Sequence, residues 1–410
     1  MAEFLRLITP DEFVQRLARF DRLPAETISL DASLNRILAE DAVASEDLPE
    51  RARSTVDGFA VRAGDTFGAS DSIPALLELA GAVEMGTIPD FAVRTGEVAQ
   101  IPTGGFLPPG TDAVVMVEYT NPAGGNSIEI TRPVTLHANV LEKGEDVKSG
   151  DPIIPAGRVL RPQELGLLAA LGITEVRTGR RPQVAVISTG DEVVPIEQKP
   201  RPGQIRDANL HSVSALVRVL GGEPAAFEIV SDDAGRLRRA LEEGLSRSDV
   251  VALSGGSSVG TRDLMVDVVE GLPGAEVLVH GVAVRPGKPT LLARHDGKAI
   301  FGLPGHPVSA LIVAQVFLAP FLRYLQGGAL TKGPLGLSTK ATLATSIHST
   351  IGLEEFVRIR LEVEADGFVA HPVFGKSGML SSLVKADGLV VVPMQAEGLA
   401  RGAVVDVIRP

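Results

Sequence analysis

The sequence contains no cysteine, and this absence excludes disulfide bonds, thiolate metal sites and cysteine nucleophiles. Any metal ion must therefore be held by oxygen or imidazole ligands. Positive charge is also scarce, because 39 Lys and Arg face 51 Asp and Glu and leave a net charge of −12. Such a chain disfavours nucleic acid or an anionic membrane surface as its main partner. An anionic ligand would therefore have to meet a local cluster of basic residues.

Leader and membrane-spanning patterns are lacking as well. The first thirty residues have no cationic start followed by an apolar stretch, so we expect no signal peptide and a cytoplasmic protein. The longest apolar run, residues 308–325, is interrupted by Gln315, Pro320 and Arg323. It is short for a span of about 20 residues and predicts a buried helix instead.

The chain does have enough apolar material for several buried cores, since 44 % of its 410 residues are hydrophobic. Its 44 Gly and 28 Pro occur in clusters, which is typical of a loop-rich α/β or β protein. Residues 10–20 predict an amphipathic helix with Thr9 as its N-cap. Residues 45–150 lack helical periodicity and predict a β-rich insert. Residues 162–172 predict a short helix.

Strands and helices then alternate. Apolar, β-branched runs predict strands at 183–189, 225–230 and 249–256, and helical periodicity predicts helices at 209–222 and 234–245. This order is the signature of a doubly wound parallel sheet.

The same domain continues to about residue 325. We expect two more strands at about 277–284 and 299–303, followed by a long helix at about 307–325. Short β patterns from 340 to 410, such as 354–363 and 388–393, predict a small C-terminal β domain.

Ligands of open α/β sheets bind beyond the carboxyl ends of the strands. Three predicted strands end there in 188-STGDE-192, 231-SDD-233 and 254-SGGSSVGTRD-263. Glycines let backbone N–H groups in such loops turn toward a phosphate, and hydroxyls add further donors, so these loops are suited to bind phosphate. Glu192, Asp232 and Asp263 would repel a phosphate unless a cation such as Mg²⁺ lay between them. The alternative is that these acids are only helix caps and turn formers.

A second anion site is indicated further along the chain. The segment 284-VRPGKPT-290 holds Arg285 and Lys288 in a proline-stiffened turn. The segment 302-GLPGHPVSA-310 brings Ser309 to a helix start. His306 in that segment is a metal ligand or, more commonly for a single histidine, a turn cap. In the β-rich insert, 54-STVDGFAVR-62 and 101-IPTGG-105 by themselves predict only turns.

Taken together, these segments closely resemble one protein family over essentially the whole chain. The matching motifs are STVDGFA (54–60), IPTGGFLPPGTDAVVMVE (101–118), STGDE (188–192), SGGSSVGTRD (254–263), RPGKP (285–289) and GLPGHPVSA (302–310). They resemble the MoeA family of molybdopterin molybdenumtransferases, to which the gephyrin E domain also belongs. The chain differs from common family patterns at Gly281, Arg285 and His306, where Lys, Lys and Asn are frequent, and it has Gly255, Gly256, Ser257 and Ser258 where GGVS is frequent.

The resemblance implies an α/β plus β fold, in an elongated, multi-domain protomer that forms a homodimer. The implied domains are a discontinuous N-terminal or linker domain (1–45 with 147–178), a β-rich insert (46–146), a MogA-like, molybdopterin-binding α/β domain (179–327) and a C-terminal β barrel (328–410).

The implied reaction inserts molybdate into adenylylated molybdopterin and releases AMP in a Mg²⁺-dependent step. The two substrates are the implied partners, together with other proteins of molybdenum cofactor biosynthesis; nucleic acid and membrane are not expected. Three alternatives stay open: a non-catalytic molybdopterin-binding scaffold, a tungstate-preferring paralogue, and a nucleotide pyrophosphatase that shares the α/β domain. Arg285 leaves the oxyanion preference open, because Arg and Lys bind oxyanions differently.

Site residues follow from the matching motifs. The implied catalytic residues are Asp57, Thr103, Asp146, Glu192, Asp232 and Asp263, and the implied metal ligands are Glu192, Asp232 and Asp263. The implied substrate-binding residues are Ser188, Thr189, Gly190, Ser254, Gly255, Gly256, Arg285, Lys288, Pro304, Pro307, Ser309, Arg358 and Ser382. Asp57, Thr103 and Asp146 resemble residues that the opposite protomer contributes in dimers of this family.

Overall fold

A computed structural model describes residues 6–227, 229–255, 259–365 and 367–409, with only the backbone at residue 226 and at residues 259–263. The described chain divides into two compact units. The first unit contains residues 6–39, 157–161 and 176–409, and the second contains residues 40–156 and 162–175.

The helices and strands are numbered in chain order. The helices are α1 (Pro10–Leu17), α2 (Pro162–Ala170), α3 (Asn209–Val219), α4 (Ala234–Arg247), α5 (Val259–Glu270), α6 (Pro307–Val313), α7 (Ala319–Leu325) and α8 (Ser381–Val384). The strands are β1 (Ala25–Ser29), β2 (Ala42–Val43), β3 (Arg53–Ser54), β4 (Gly58–Val61), β5 (Ala75–Ala82), β6 (Glu97–Ile101), β7 (Ala113–Met116), β8 (Thr120–Pro122), β9 (Ser127–Ile130), β10 (Val140–Leu141), β11 (Pro152–Ile154), β12 (Glu175–Gly179), β13 (Gln183–Ser188), β14 (Val193–Val194), β15 (Ile205–Arg206), β16 (Glu223–Ala226), β17 (Val250–Ser254), β18 (Ala275–His280), β19 (Val284–Arg285), β20 (Leu291–His295), β21 (Lys298–Leu303), β22 (Leu337–Leu343), β23 (Ile347–His348), β24 (Glu354–Glu364), β25 (Gly367–Pro372), β26 (Gly388–Val392), β27 (Gly398–Leu399) and β28 (Val404–Arg409).

The centre of the first unit is a six-stranded sheet in the order β16-β13-β17-β21-β20-β18. Its first four strands are parallel, and β20 runs antiparallel to both of its neighbours. Alternate residues of β13 enter different cores: Val184 packs with α3 residues, whereas Ala185 packs with α4 residues. Helices therefore cover both faces of the sheet, which confirms the predicted doubly wound α/β domain.

Residues 307–325 form one continuous helical segment, as predicted. It consists of α6, a π-helical turn at Ala314–Leu318, and α7. By length and composition it could span a membrane, but 78 % of it is buried inside the protein, as in a core helix. Phe13 of α1 packs on this segment, with its ring centroid 4.2 Å from that of Phe317, and its ring also lies 6.3 Å from that of Phe301 in β21. Helix α1 begins at the predicted cap, where Thr9 and Glu12 form a capping box, and ends at Leu17.

The C-terminal part of the first unit is a closed β barrel. Strands follow the order β24-β25-β22-β28-β26, and β26 pairs again with β24. Its interior holds Ile359, Ala370, Val392 and Val407. The predicted C-terminal barrel is thereby confirmed.

The second unit is built on another six-stranded sheet, β7-β4-β6-β5-β9-β8. Two apolar clusters pack on it, one containing Val61 and Val115 and the other Ala60 and Val114. Since neighbouring residues of a strand point to opposite faces, both faces of the sheet are covered. The predicted β-rich insert is confirmed.

Candidate functional site

Three loops of the α/β domain are joined at the carboxyl ends of their strands. The N–H of Thr189 donates to the carbonyl of Ser254 at 2.8 Å, and the N–H of Val230 donates to Ser188 at 2.9 Å. The N–H of Gly190 donates to Val230 at 3.1 Å. These bonds hold the loops after β13, β16 and β17 side by side, as the parallel strand order requires.

A cavity of about 420 Å³, the strand-end cavity, opens on these loops. Its walls include the predicted residues Ser188, Thr189, Glu192, Ser254, Gly255 and Pro307. Gly255 leaves no room for a side chain, because a Cβ there would lie 2.8 Å from the Thr189 hydroxyl oxygen. Gly190 has φ of +141°, a conformation that other residues rarely adopt. Glycine at these two positions thus allows the strand-end loops to pack closely beside the cavity.

Acidic side chains gather beside this cavity. The N–H of Asp232 donates to the Asp191 carboxylate at 3.2 Å. Burial raises the pKa of Asp232, and the charges of Asp191 and Glu192 raise it further. Among the described residues, no three His, Asp or Glu side chains form a group that could hold a metal ion. Gly256 and the side chain of Asp263 lie outside the described residues.

Two residues of the strand-end cavity were missed by the sequence interpretation. Asp207 is buried, and one carboxylate oxygen accepts the N–H of Leu210 at 3.0 Å while the other has no hydrogen-bond partner. Asn209 donates to the carbonyl of Gly305 at 2.9 Å, and its own side-chain oxygen is likewise buried without a partner. Both line the cavity. Asp207 precedes α3 and looks like an ordinary helix cap in the sequence, so only the burial distinguishes it.

Two basic cavities adjoin the proline-rich turns. The smaller, of about 360 Å³, is lined by the predicted residues Arg285, Lys288, Pro304 and Ser309. The larger, of about 790 Å³, shares Arg285 and Ser309 with it and adds Arg358. The guanidinium of Arg285 lies 3.6 Å from the carboxylate of Glu355. His306 lines both basic cavities and the strand-end cavity, so the three adjoin at this residue.

Ser382 holds Arg358 in place. The Arg358 guanidinium donates to the Ser382 hydroxyl and, at 2.8 Å, to the carbonyl of Gly375. The Ser382 hydroxyl in turn donates to the carbonyl of Met379 at 2.6 Å. Burial lowers the pKa of Arg358, although its ordinary value is high enough for the side chain to remain a cation. This arrangement fixes a positive charge in the wall of the larger basic cavity.

The remaining predicted residues belong to the second unit. The N–H and hydroxyl of Thr103 both donate to one Asp57 oxygen, at 2.7 and 3.0 Å. These bonds hold the pKa of Asp57 below its usual range. Asp146 is exposed, and its N–H donates to the carbonyl of Leu48 at 3.1 Å.

Comparisons with known proteins cover most of the chain. Family models match residues 8–172 as "MoeA N-terminal region (domain I and II)", 185–324 as "Probable molybdopterin binding domain" and 340–409 as "MoeA C-terminal region (domain IV)". The chain is 34 % identical to a molybdopterin molybdenumtransferase of Staphylococcus aureus, over 97 % of this chain and 94 % of that protein. It is also 34 % identical to a putative molybdopterin biosynthesis protein of Methanocaldococcus jannaschii, over 93 % and 91 %.

Solved structures agree with these matches. A molybdopterin biosynthesis MoeA protein of Pyrococcus horikoshii superposes with a TM-score of 0.80 at 36 % identity, over 98 % of this chain and 99 % of that one. A second P. horikoshii MoeA structure gives a TM-score of 0.86 at 30 % identity, over 99 % and 100 %.

Proposed function

Because the chain belongs to the MoeA family, we propose that it is a molybdopterin molybdenumtransferase that inserts molybdate into adenylylated molybdopterin. The products are the molybdenum cofactor and AMP. One observation carries this proposal: a glycine-rich strand-end cavity adjoins two arginine-containing cavities at His306. Such an arrangement suits a reaction between a phosphate-bearing organic substrate and an inorganic oxyanion.

We assign the organic substrate to the strand-end cavity. The backbone at Gly255 and the hydroxyls of Ser188, Thr189 and Ser254 are suited to bind phosphate oxygens, and Gly190 shapes the adjoining loop. Molybdate is assigned to the basic cavities, where Arg285, Lys288 and Arg358 supply positive charge and Ser309 supplies a hydroxyl. In an acidic chain, this separation gives each anion its own set of donors.

Magnesium fits the acidic side of the strand-end cavity. Burial and the charges of Asp191 and Glu192 raise the pKa of Asp232, and a divalent cation would relieve the repulsion between these charges. Mg²⁺ is usually held by one or two carboxylates together with phosphate oxygens and water, so a preformed three-ligand group is not required. We propose Glu192 and Asp232, with Asp263, as its ligands. Bound Mg²⁺ would neutralise charge on the phosphoanhydride that joins AMP to molybdopterin.

AMP release from adenylylated molybdopterin tests this function directly. We expect release by the purified protein to require both Mg²⁺ and molybdate, and a parallel series with tungstate to establish the preferred oxyanion. Tight binding of the substrate without AMP release under any condition would contradict the transferase and indicate a scaffold. Release without any oxyanion would indicate a pyrophosphatase.

A matched pair of variants tests the acidic residues. Glu192→Gln removes a charge that faces the strand-end cavity, and we expect AMP release to fall by about a hundredfold or more. Glu197→Gln changes an exposed residue of the following loop and should leave the rate unchanged. Wild-type activity in Glu192→Gln would remove Glu192 from the proposed metal ligands.

A further inference from the structure

A fourth cavity shares no lining residue with the three already described. This groove, of about 610 Å³, runs between α4 and the segment that begins in β16, at the edge of the α/β sheet. Its size falls within the usual range for small-molecule sites, about 300–1,000 Å³. The side chains that matter here are Phe227, Ile229, Arg236, Arg239, Glu243 and Arg247.

The groove is positively charged although the protein is acidic. Among the described residues, three guanidiniums and one carboxylate line it, a formal charge of +2. Arg247 forms an ion pair with Glu243 at 2.7 Å. Arg236 and Arg239 have no carboxylate partner in the described ranges: Arg236 lies 3.4 Å from the Ser231 hydroxyl, and Arg239 donates to the carbonyl of Gly235 at 3.3 Å.

Two guanidiniums thus remain available to an anion. They lie three residues apart on α4 and therefore on one face of the helix. Acidic residues are plentiful in the chain, yet none in the described ranges neutralises this pair. Arginine binds both carboxylate and phosphate oxygens with two parallel hydrogen bonds, and a pair of guanidiniums matches the charge of a phosphate group of up to −2 better than that of a single carboxylate.

The groove also has apolar lining residues. The guanidinium of Arg247 lies over the ring of Phe227, 5.9 Å from its centroid, and Ile229 and Ala240 line the groove as well. Arginine planes and aromatic rings are the surfaces on which nucleobases stack. An added peptide strand is less suitable, because Pro224 in β16 lacks the N–H that edge pairing requires.

We propose that this groove is a nucleotide site, in which Arg236 and Arg239 bind the phosphates and the surface of Arg247 and Phe227 supports the base. The proposal does not depend on the transferase function, because the groove and the three cavities near His306 have separate walls.

Calorimetric titration with ADP, adenosine and inorganic phosphate tests the site. We expect the double variant Arg236→Glu/Arg239→Glu to lose one equivalent of ADP binding per chain, or to bind it about tenfold more weakly or worse. Subtracting the variant's titration from that of the wild type gives the ADP binding to the groove alone, because any ADP bound in the strand-end cavity contributes equally to both. Adenosine and phosphate alone should bind more weakly than ADP, since each offers only one of the two recognised groups.

Arg238→Glu is the matched control. Arg238 lies on the same helix, pairs with Glu242 at 2.9 Å and does not line the groove, so its variant should bind ADP like wild type. Unchanged ADP binding in the double variant, or an equal loss in Arg238→Glu, would overturn the proposal. Phosphate that binds as tightly as ADP would overturn the nucleotide assignment. Oxyanion-dependent AMP release should persist in the double variant, which separates this test from that of the transferase.

Discussion

Thr103 and Asp57 offer a test at the scale of single hydrogen bonds. Thr103→Val keeps the N–H that donates to Asp57 but removes the hydroxyl donor. The backbone bond is the larger cause of the lowered pKa of Asp57 and the hydroxyl bond the next, so the variant's pKa should rise but stay below the ordinary value. Carboxyl-carbon NMR titration would measure this change.

Thr103→Val should also lower the stability of the folded protein in a pH-dependent way. A carboxyl group whose pKa is lower in the folded protein stabilises it above the unfolded pKa, about 3.9, and this stabilisation disappears as pH falls through the folded pKa. Thr103→Val should therefore lose part of that stabilisation at neutral pH and little of it in strong acid. Thr87→Val is the control, because the Thr87 hydroxyl donates to the carbonyl of Glu84 instead. An unaltered Asp57 pKa in Thr103→Val would contradict the argument.

The residues of the site were predictable to different degrees. Glu192 follows β13 and Ser254 ends β17, both strands are recognisable from their apolar runs, and the parallel order then places the two residues at one edge of the sheet. Asp207 and Asn209 carried no such signal, because an Asp or Asn at the start of a helix is normally read as a cap. They are distinguished only by their place in the cavity wall and their unpartnered buried oxygen atoms, which local sequence does not encode. Arg358 and Ser382 were suggested by family motifs, and their direct contact required the folded barrel.

At the scale of elements, the packing of α1 on the main core should contribute strongly to stability. Phe13 is fully buried and packs between Phe301 and Phe317. Phe13→Ala would leave a cavity in the main core, and we expect it to lower the free energy of unfolding by about 3–5 kcal/mol. Phe374→Ala is the comparison, since that ring is 65 % exposed and its loss should change stability by only about 0.5 kcal/mol. Equilibrium urea unfolding measures both, and equal effects would contradict the packing argument.

The elements themselves were predicted unevenly. Strongly periodic segments such as α4 and the buried strand β17 were recognised within two residues of their bounds. Strand β20 was not predicted, but the sequence contains a signal for it in the Asp296–Gly297 pair. This pair forms the tight turn between β20 and β21, with positive φ at both positions. Strand β16 begins two residues before the predicted start, because Glu223 and Pro224 pair with β13 despite their low strand propensity.

At the scale of the whole molecule, net charge alone does not describe which ligands the protein can bind. The overall charge of −12 disfavours anionic partners, yet the basic cavities and the groove beside α4 collect arginines locally. The family relationship was recoverable because the motifs occur in order over most of the chain. The domain boundaries proposed from that resemblance stay a prediction.

The proposed homodimer can be tested by mixing defective chains. We propose that Asp57 and Thr103 act in the cavity of the partner chain, whereas Glu192 acts in its own. Homodimers of Asp57→Asn and of Glu192→Gln should then both be inactive. A mixed dimer, isolated with two affinity tags, would contain one site with both defects and one intact site, because closed dimers have two equivalent sites.

The mixed dimer should therefore release AMP at about half of the wild-type rate per dimer. If Asp57 acted within its own chain, every site would carry one defect, and the mixed dimer would be inactive. Co-purification of the two tags is itself informative, because a chain that elutes as a monomer at working concentration would contradict the dimer. Tagged wild-type chains mixed in the same way provide the reference rate. Half-activity requires two things together, a stable dimer and a shared site, and neither alone would produce it.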